Sequence, residues 1–240
     1  MINSQPIEKR LPSYEGTVDV HSIFKTIQGE GPFCGTPCVF VRLAGCNLQC
    51  PMCDTDYTST RKQMTPSDIV REVSKLSIGG LRGHSLVVIT GGEPFRQHIG
   101  ELINLLVDCR FYVQVESNGT MNPPAAPWNK NTFEREGAYL VISPKTGKLN
   151  PLAEDAACAL KYVVRYGDAD REDGLPLHAL DMPNRPARPT EGLFEGVIYI
   201  QPLDSKDAVD NHLHTQEAVS SSLAHGHILQ LQVHKFIGVE

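Results

Sequence analysis

The segment Cys46-Asn47-Leu48-Gln49-Cys50-Pro51-Met52-Cys53 places three thiols within eight residues, in a stretch opened by Gly45. Thiolates are soft ligands, and short spacings let one loop wrap a single compact soft-metal centre. The next cysteine is Cys109, so no fourth ligand follows nearby. A ferredoxin-type cluster and an all-cysteine zinc site each want four. Cys34 and Cys38 lie upstream, and a four-cysteine zinc site completed by them stays open as an alternative. Otherwise Cys34, Cys38, Cys109 and Cys158 read as small apolar residues.

Three thiolates on a four-iron cluster leave one iron free to take a ligand through a nitrogen and an oxygen. The amino and carboxylate groups of S-adenosylmethionine (SAM) suit that role. The cluster then passes one electron to the sulfonium, and a carbon radical is released. In such chemistry the cofactor reacts and the protein positions it.

The elements that must position this loop are legible as apolar runs. Strands are expected over Pro37–Leu43, Leu86–Thr90, Phe111–Glu116, Tyr139–Ser143, Leu160–Arg165, Val197–Gln201 and Ile228–Gln232. They are apolar on consecutive positions, as suits parallel strands covered on both faces. Thr65-Pro66-Ser67-Asp68 is a helix start, with Ile69, Val70, Val73 and Leu76 on one face. Ile99, Leu102, Ile103 and Leu106 repeat that spacing, and residues 206–224, followed by Gly226, form a third candidate helix. Strand–helix–strand units imply right-handed crossovers and a parallel sheet, open or curled into a barrel. The polar residues 1–17 read as a loose tail, and residues 121–137 and 167–195 as surface loops or insertions. A single domain over 18–240 is expected.

Unusual residues recur at strand ends, where a parallel barrel collects its chemistry. Thr90-Gly91-Gly92-Glu93-Pro94 allows close backbone approach to a ligand. Glu116-Ser117-Asn118-Gly119, Ser143-Pro144-Lys145 and Gln201-Pro202-Leu203-Asp204 follow at later strands, and His234-Lys235 follows the last. Upstream, Gln28-Gly29-Glu30-Gly31-Pro32 is a glycine-punctuated polar loop. Arg42 ends the first expected strand, and its guanidinium suits a carboxylate. Each feature alone is commonly a capped turn or surface decoration. His212, His214, His225 and His227 read as a solvated helix end.

C-x3-C-x2-C after the first strand resembles the signature of radical SAM enzymes. The ordered set from Ile27 to His234-Lys235 is similar to one family within them, the 7-carboxy-7-deazaguanine synthases, over roughly residues 20–240. Met52 departs mildly, standing where an aromatic residue is often found. The resemblance implies an α/β fold of mostly parallel strands in a partial, incomplete TIM-type barrel. It implies conversion of 6-carboxy-5,6,7,8-tetrahydropterin to 7-carboxy-7-deazaguanine with loss of ammonia, on the route to deazapurines such as queuosine.

The resemblance also implies roles for residues. Cys46, Cys50 and Cys53 would hold the 4Fe-4S cluster, and Thr55 would offer a hydroxyl to magnesium. Met52, Asp54, Gly92, Glu93, Glu116, Ser117, Asn118, Ser143, Pro144, Lys145, Gln201, Pro202, Leu203 and Asp204 would bind SAM. Ile27, Gln28, Gly29, Glu30, Arg42, Thr90, His234 and the terminal carboxylate of Glu240 would line the pterin site. A one-electron reductant such as flavodoxin or ferredoxin, and a homodimer, complete the expectation.

Composition bounds these readings. In 240 residues, 40% hydrophobic content argues against global disorder, and the length suffices to bury a core without disulfide staples. A net charge of −6 argues against a general nucleic-acid or anionic-membrane binder. No apolar run reaches a bilayer-spanning length, and the N-terminus lacks the apolar core of a secretory signal, so a cytoplasmic protein with free thiols is expected. Two rivals remain: an activase that makes a glycyl radical on another protein, and a non-enzymatic zinc or iron–sulfur binding module.

Overall fold

The computed structural model describes residues 3–77, 85–130 and 137–239. Its described strands form one nine-stranded sheet in the order β3-β1-β2-β4-β5-β6-β7-β8-β9. These are β1 (Val18–Ile27), β2 (Pro37–Leu43), β3 (Lys62–Met64), β4 (Leu86–Gly91), β5 (Tyr112–Ser117), β6 (Gly137–Ile142), β7 (Ala157–Val164), β8 (Val197–Pro202) and β9 (Ile228–Leu229). From β2 to β9 every neighbouring pair is parallel, while β1 runs antiparallel to both β2 and β3. The two edge strands, β3 and β9, do not pair with each other, so the expected barrel is indeed partial.

Period-two alternation sorts each strand onto two faces. Val39, Val41, Val87, Ile89, Val113, Val115, Leu140 and Ile142 belong to the larger apolar cluster, with the helical residues Ile69, Val73, Leu102 and Leu106. Those helical residues come from α1 (Pro66–Leu76) and α2 (Gly100–Asp108). Cys38, Leu86, Val88, Tyr112, Tyr139 and Val141 alternate with them and form a second cluster around Phe33. Covering on both faces is why these strands read as unbroken apolar runs.

Helix boundaries follow their local chemistry. The Thr65 hydroxyl caps α1 by accepting from Asp68 N at 3.1 Å. Asn150 caps the short α3 (Pro151–Ala156). The long α4 (Ala208–His225) ends on Gly226 at φ 75°, a left-handed stop suited to glycine.

Three expectations change. β1 is absent from the list of expected strands, because its half-buried pattern alternates instead of running apolar. The last expected strand shrinks to Ile228–Leu229, and residues Val233–Ile237 form a short helix, α5. The side chains of Gln230 and Gln232 bond to Gly31 and Glu30 across the interior, which ends the strand. The segment read as a loose tail is bonded to the cysteine loop from Asn3 to Glu8.

The antiparallel β1 has a further effect. Its C-terminal end lies beside the start of β2, at the opposite pole from the ends of the parallel strands. The loop after it enters the interior and seats Phe33 against Tyr139 and Tyr112, with ring centroids 5.0 and 6.1 Å apart. Phe33 therefore anchors the loop that carries Gln28 and Glu30. Phe33→Ala is expected to cost about 3–5 kcal/mol of stability, read as a lower denaturant midpoint in equilibrium unfolding.

Candidate functional site

The cysteine loop leaves β2 at Leu43 and is fixed by backbone contact with the end of β4. Gly92 N donates to Leu43 O at 3.2 Å and Glu93 N to Gly45 O at 3.0 Å. A Cβ on Gly92 would lie 2.0 Å from Gly45 O, and one on Gly91, at φ 129°, 2.2 Å from Leu43 O. Two glycines are thus required for the two backbones to touch, whatever else binds there.

Cys50 is buried, Cys46 and Cys53 are half-buried, and all three are free thiols. Burial raises all three thiol pKa values, that of Cys46 to about 12. Bound iron would reverse that balance by taking the thiolate form. Charge on one cysteine is felt by the next, and the half-buried ammonium of Lys145 counters it at Cys50 and Cys53. Among the described residues, no three His, Cys, Asp or Glu side chains converge to hold one ion. A four-iron cluster does not need that convergence, since it takes its thiolates on separate corners. Three free soft donors on one loop, with a cation beside them, fit such a cluster.

Glu93 lies beneath the rim. It is 0% exposed, and its carboxylate accepts from Phe95 N (2.9 Å), Ser117 Oγ (2.8 Å) and Asn118 N (2.8 Å). Burial raises its pKa against the pull of those three donors. Its side chain braces the end of β5. Asn118 Nδ2 donates to Asn47 Oδ1 at 2.8 Å, and Asn47 Nδ2 to Thr120 Oγ1 at 2.9 Å. This chain ties the cysteine loop to the next strand end. At β6, Ser143 N donates to Ser117 O at 2.8 Å, and Lys145 Nζ donates to Ser143 Oγ. Met52 N reaches Leu180 O at 3.2 Å, which brings the 167–195 insertion onto the cysteine loop.

Inside the curved sheet lies a buried charged network. Glu30 is 9% exposed and Lys161 on β7 6%. Lys161 Nζ donates to Glu30 Oε2 and lies 3.7 Å from Glu116 Oε2. Burial alone would raise the Glu30 pKa, but Lys161, assisted by Gln232 and His234, lowers it to about 2. Gln28 Nε2 and Gln114 Nε2 donate to Glu116 Oε1 at 2.9 and 2.8 Å. Gln201 and Gln232 donate to Glu30 Oε1 at 3.3 and 2.6 Å. Among the described residues, no donor reaches the buried acceptors Gln114 Oε1 and Gln201 Oε1.

The remaining expected residues have the following contacts. Arg42 and Thr90 stand in register on β2 and β4, and the Arg42 guanidinium lies 5.0 Å over the Phe24 ring. His234 packs on Gly29, where a Cβ would lie 1.9 Å from the ring nitrogen. Ile27 closes β1, and Leu203 N donates to Val164 O just past Pro202, the last residue of β8. Asp54 and Asp204 share Lys235, at 2.8 and 2.9 Å. Thr55 follows, its hydroxyl 3.5 Å from Asp54. Glu240 lies outside the described residues.

The sequence reading missed Asn47, Gln114, Lys161, Gln230 and Gln232, and gave Lys235 no role. Lys161 had a signal, being the lone charged residue inside an apolar strand. The Lys161 pair carries a pH dependence. Glu30, held at about 2 against an ordinary 4.5, contributes stability that is complete above about 4.5 and lost as pH falls toward 2. Lys161→Met leaves this carboxylate without its cation and is expected to cost about 3–5 kcal/mol at pH 7. The deficit should shrink at pH 3, as measured by urea unfolding of the iron-free chain at both pH values.

Comparison with known proteins agrees with this geometry. A model of the radical SAM superfamily matches residues 41–131, the cysteine loop and the two strand ends beside it. The chain is 36% identical to the 7-carboxy-7-deazaguanine synthase of Rhodospirillum rubrum, over 100% of both chains. It is also 36% identical to the enzyme of that name from Rickettsia prowazekii, over 97% of this chain and 94% of the relative. The crystal structure of QueE from Escherichia coli shares the fold, with a TM-score of 0.66 and 22% identity over 90% of this chain and 94% of that one. With full-length similarity at this level and the cysteine loop at the rim of a partial barrel, the chain belongs to the 7-carboxy-7-deazaguanine synthase family of radical SAM enzymes.

Proposed function

We propose that this chain converts 6-carboxy-5,6,7,8-tetrahydropterin to 7-carboxy-7-deazaguanine, as a carbon–nitrogen lyase of deazapurine biosynthesis. The observation that carries the reading is the pairing of three free thiols at the rim with a buried interior of fixed charge and unmet acceptors. A 4Fe-4S cluster with SAM, when bound, supplies one-electron chemistry and a carbon radical.

The chain's own residues hold and shape the substrate. Glu30, kept anionic at neutral pH by Lys161, accepts N–H donors, and so do Gln114 Oε1 and Gln201 Oε1. An aminopyrimidinone ring presents such donors along one edge. Arg42, half-buried beside Phe24, offers a fork for the substrate carboxylate. His234, seated on Gly29, covers the same interior. Burial excludes water and strengthens each contact. The Gly91–Gly92 backbone, Ser117, Asn118, Ser143, Lys145 and the Gln201–Asp204 turn form the rim where SAM binds. Thr55 would offer a hydroxyl to magnesium, which would supply a hard cation for the substrate carboxylate. The enzyme works in the cytoplasm as a homodimer, with flavodoxin or ferredoxin as reductant.

Anaerobically reconstituted protein, given reductant, SAM, magnesium and the carboxytetrahydropterin, is expected to produce deazapurine absorbance, and Cys50→Ser to abolish it. SAM cleavage without that product would favour the activase. One zinc per chain and no acid-labile sulfide would favour the binding module. Thr55→Ala is expected to weaken the magnesium dependence of turnover, and a magnesium titration identical to wild type would remove Thr55 from the site.

A further inference from the structure

The cysteine loop has little internal support. Its backbone closes on itself at two places, Cys53 N to Cys50 O (3.1 Å) and Gly45 N to Tyr57 O (2.9 Å), and no helix or strand lies between Leu43 and Lys62. The N-terminal segment supplies much of the rest. Glu8 N donates to Cys46 O at 2.7 Å, and Ile7 forms a parallel bridge with Cys46. Asn3 N donates to Pro51 O at 2.9 Å, and Asn3 Nδ2 to Cys50 O at 3.1 Å.

Gln5 holds both limbs of the loop. Its Nε2 donates to Thr55 O at 2.8 Å, its Oε1 accepts from Tyr57 N at 2.8 Å, and its backbone carbonyl accepts from Gln49 Nε2 at 2.6 Å. The segment is itself moored to the fold. Glu8 pairs with Arg61 (2.5 Å) and with the buried Arg96 (3.2 Å), and Leu11 N donates to Arg96 O at 2.8 Å.

We propose that residues 3–8 are a strap that holds the three-cysteine loop in its ligand conformation, with Asn3 and Gln5 as positioning residues for the cluster. The inference rests on the iron–sulfur reading of the loop and adds to it. A loop whose carbonyls and amides are paired by the strap presents its thiols already spaced, so the cluster need not order them. Without the strap, the same carbonyls turn to water and the thiols separate. The strap touches the loop on its backbone and on side chains other than the three thiols, so it acts on cluster retention and leaves the ligand set unchanged.

The test uses the full chain, reconstituted anaerobically, with a ferrous-iron chelator in excess. The double variant Asn3→Ala/Gln5→Ala is expected to surrender its iron at least about tenfold faster than wild type, having lost several hydrogen bonds worth roughly a factor of five each. Lys9→Ala, an exposed strap neighbour, should match wild type. In the iron-free chain, the double variant should lose amide exchange protection in residues 46–58 and keep it in β4 and β5. Equal rates of iron loss in double variant and wild type overturn the strap while leaving the enzyme reading intact. Protection lost evenly across the sheet also overturns it, because the segment would then be a general support. A wild-type chain that binds no iron and sulfide overturns the cluster reading and the strap with it.

Discussion

An ammonium buried inside a curved sheet cannot stand alone. Lys161 needs carboxylates within reach, and the sheet itself offers Glu116 on β5. The second comes from outside, on the loop that follows β1, where Glu30 takes the strongest contact. That demand draws the loop across the concave face and seats Phe33 in the lower, apolar layer. It also fixes where the glutamines must go, because each carboxylate oxygen left over needs a donor. Gln28, Gln114, Gln201 and Gln232 provide them from four separate segments of chain. Desolvating so many polar groups is costly. The ion pair and the four amide donors around the two carboxylates offset that cost.

The upper layer obeys a different constraint. An irregular loop with three thiols must be rigid if its metal is to sit in one place. Rigidity arrives from three sides. Glycines at the end of β4 allow backbone-to-backbone contact, Asn47 reaches the end of β5, and the N-terminal segment pairs with the outer edge. Glu93 belongs to this frame as well, since it fastens one strand end to the next from below. Residues usually named for what they bind are here first of all residues that hold each other.

The parallel strands β2 and β4 to β8 were legible in the sequence because burial on both faces leaves long apolar runs, and the three longer helices because of apolar spacing in α1 and α2 and end signals in α1 and α4. The cysteine loop and the glycine pair were legible because their spacing is rare. What escaped was anything defined by a partner distant in sequence. β1 hid behind its mixed pattern, and the strand expected over 228–232 was shortened by glutamines whose partners lie 199 and 202 positions earlier. The N-terminal residues looked like a tail because polar side chains read as solvated until the backbone they bond to is known. Lys161 looked like one charge in an apolar strand, and its two carboxylates could be assigned only by folding.

Those same separations bear on how the molecule assembles. Contacts between neighbouring parallel strands close loops of a few dozen residues, whereas Gly31–Gln230 and Glu30–Gln232 close almost the whole chain. Pairings across such distances are slow and come after the local ones. Lys235, which joins Asp54 to Asp204, belongs to that late group. The sheet and its outer helices can therefore consolidate while the interior is still open to water on one side. Topology thus favours an order in which the scaffold forms first and the charged interior last, so that a chain short of that step would offer an arriving cofactor an unfinished room.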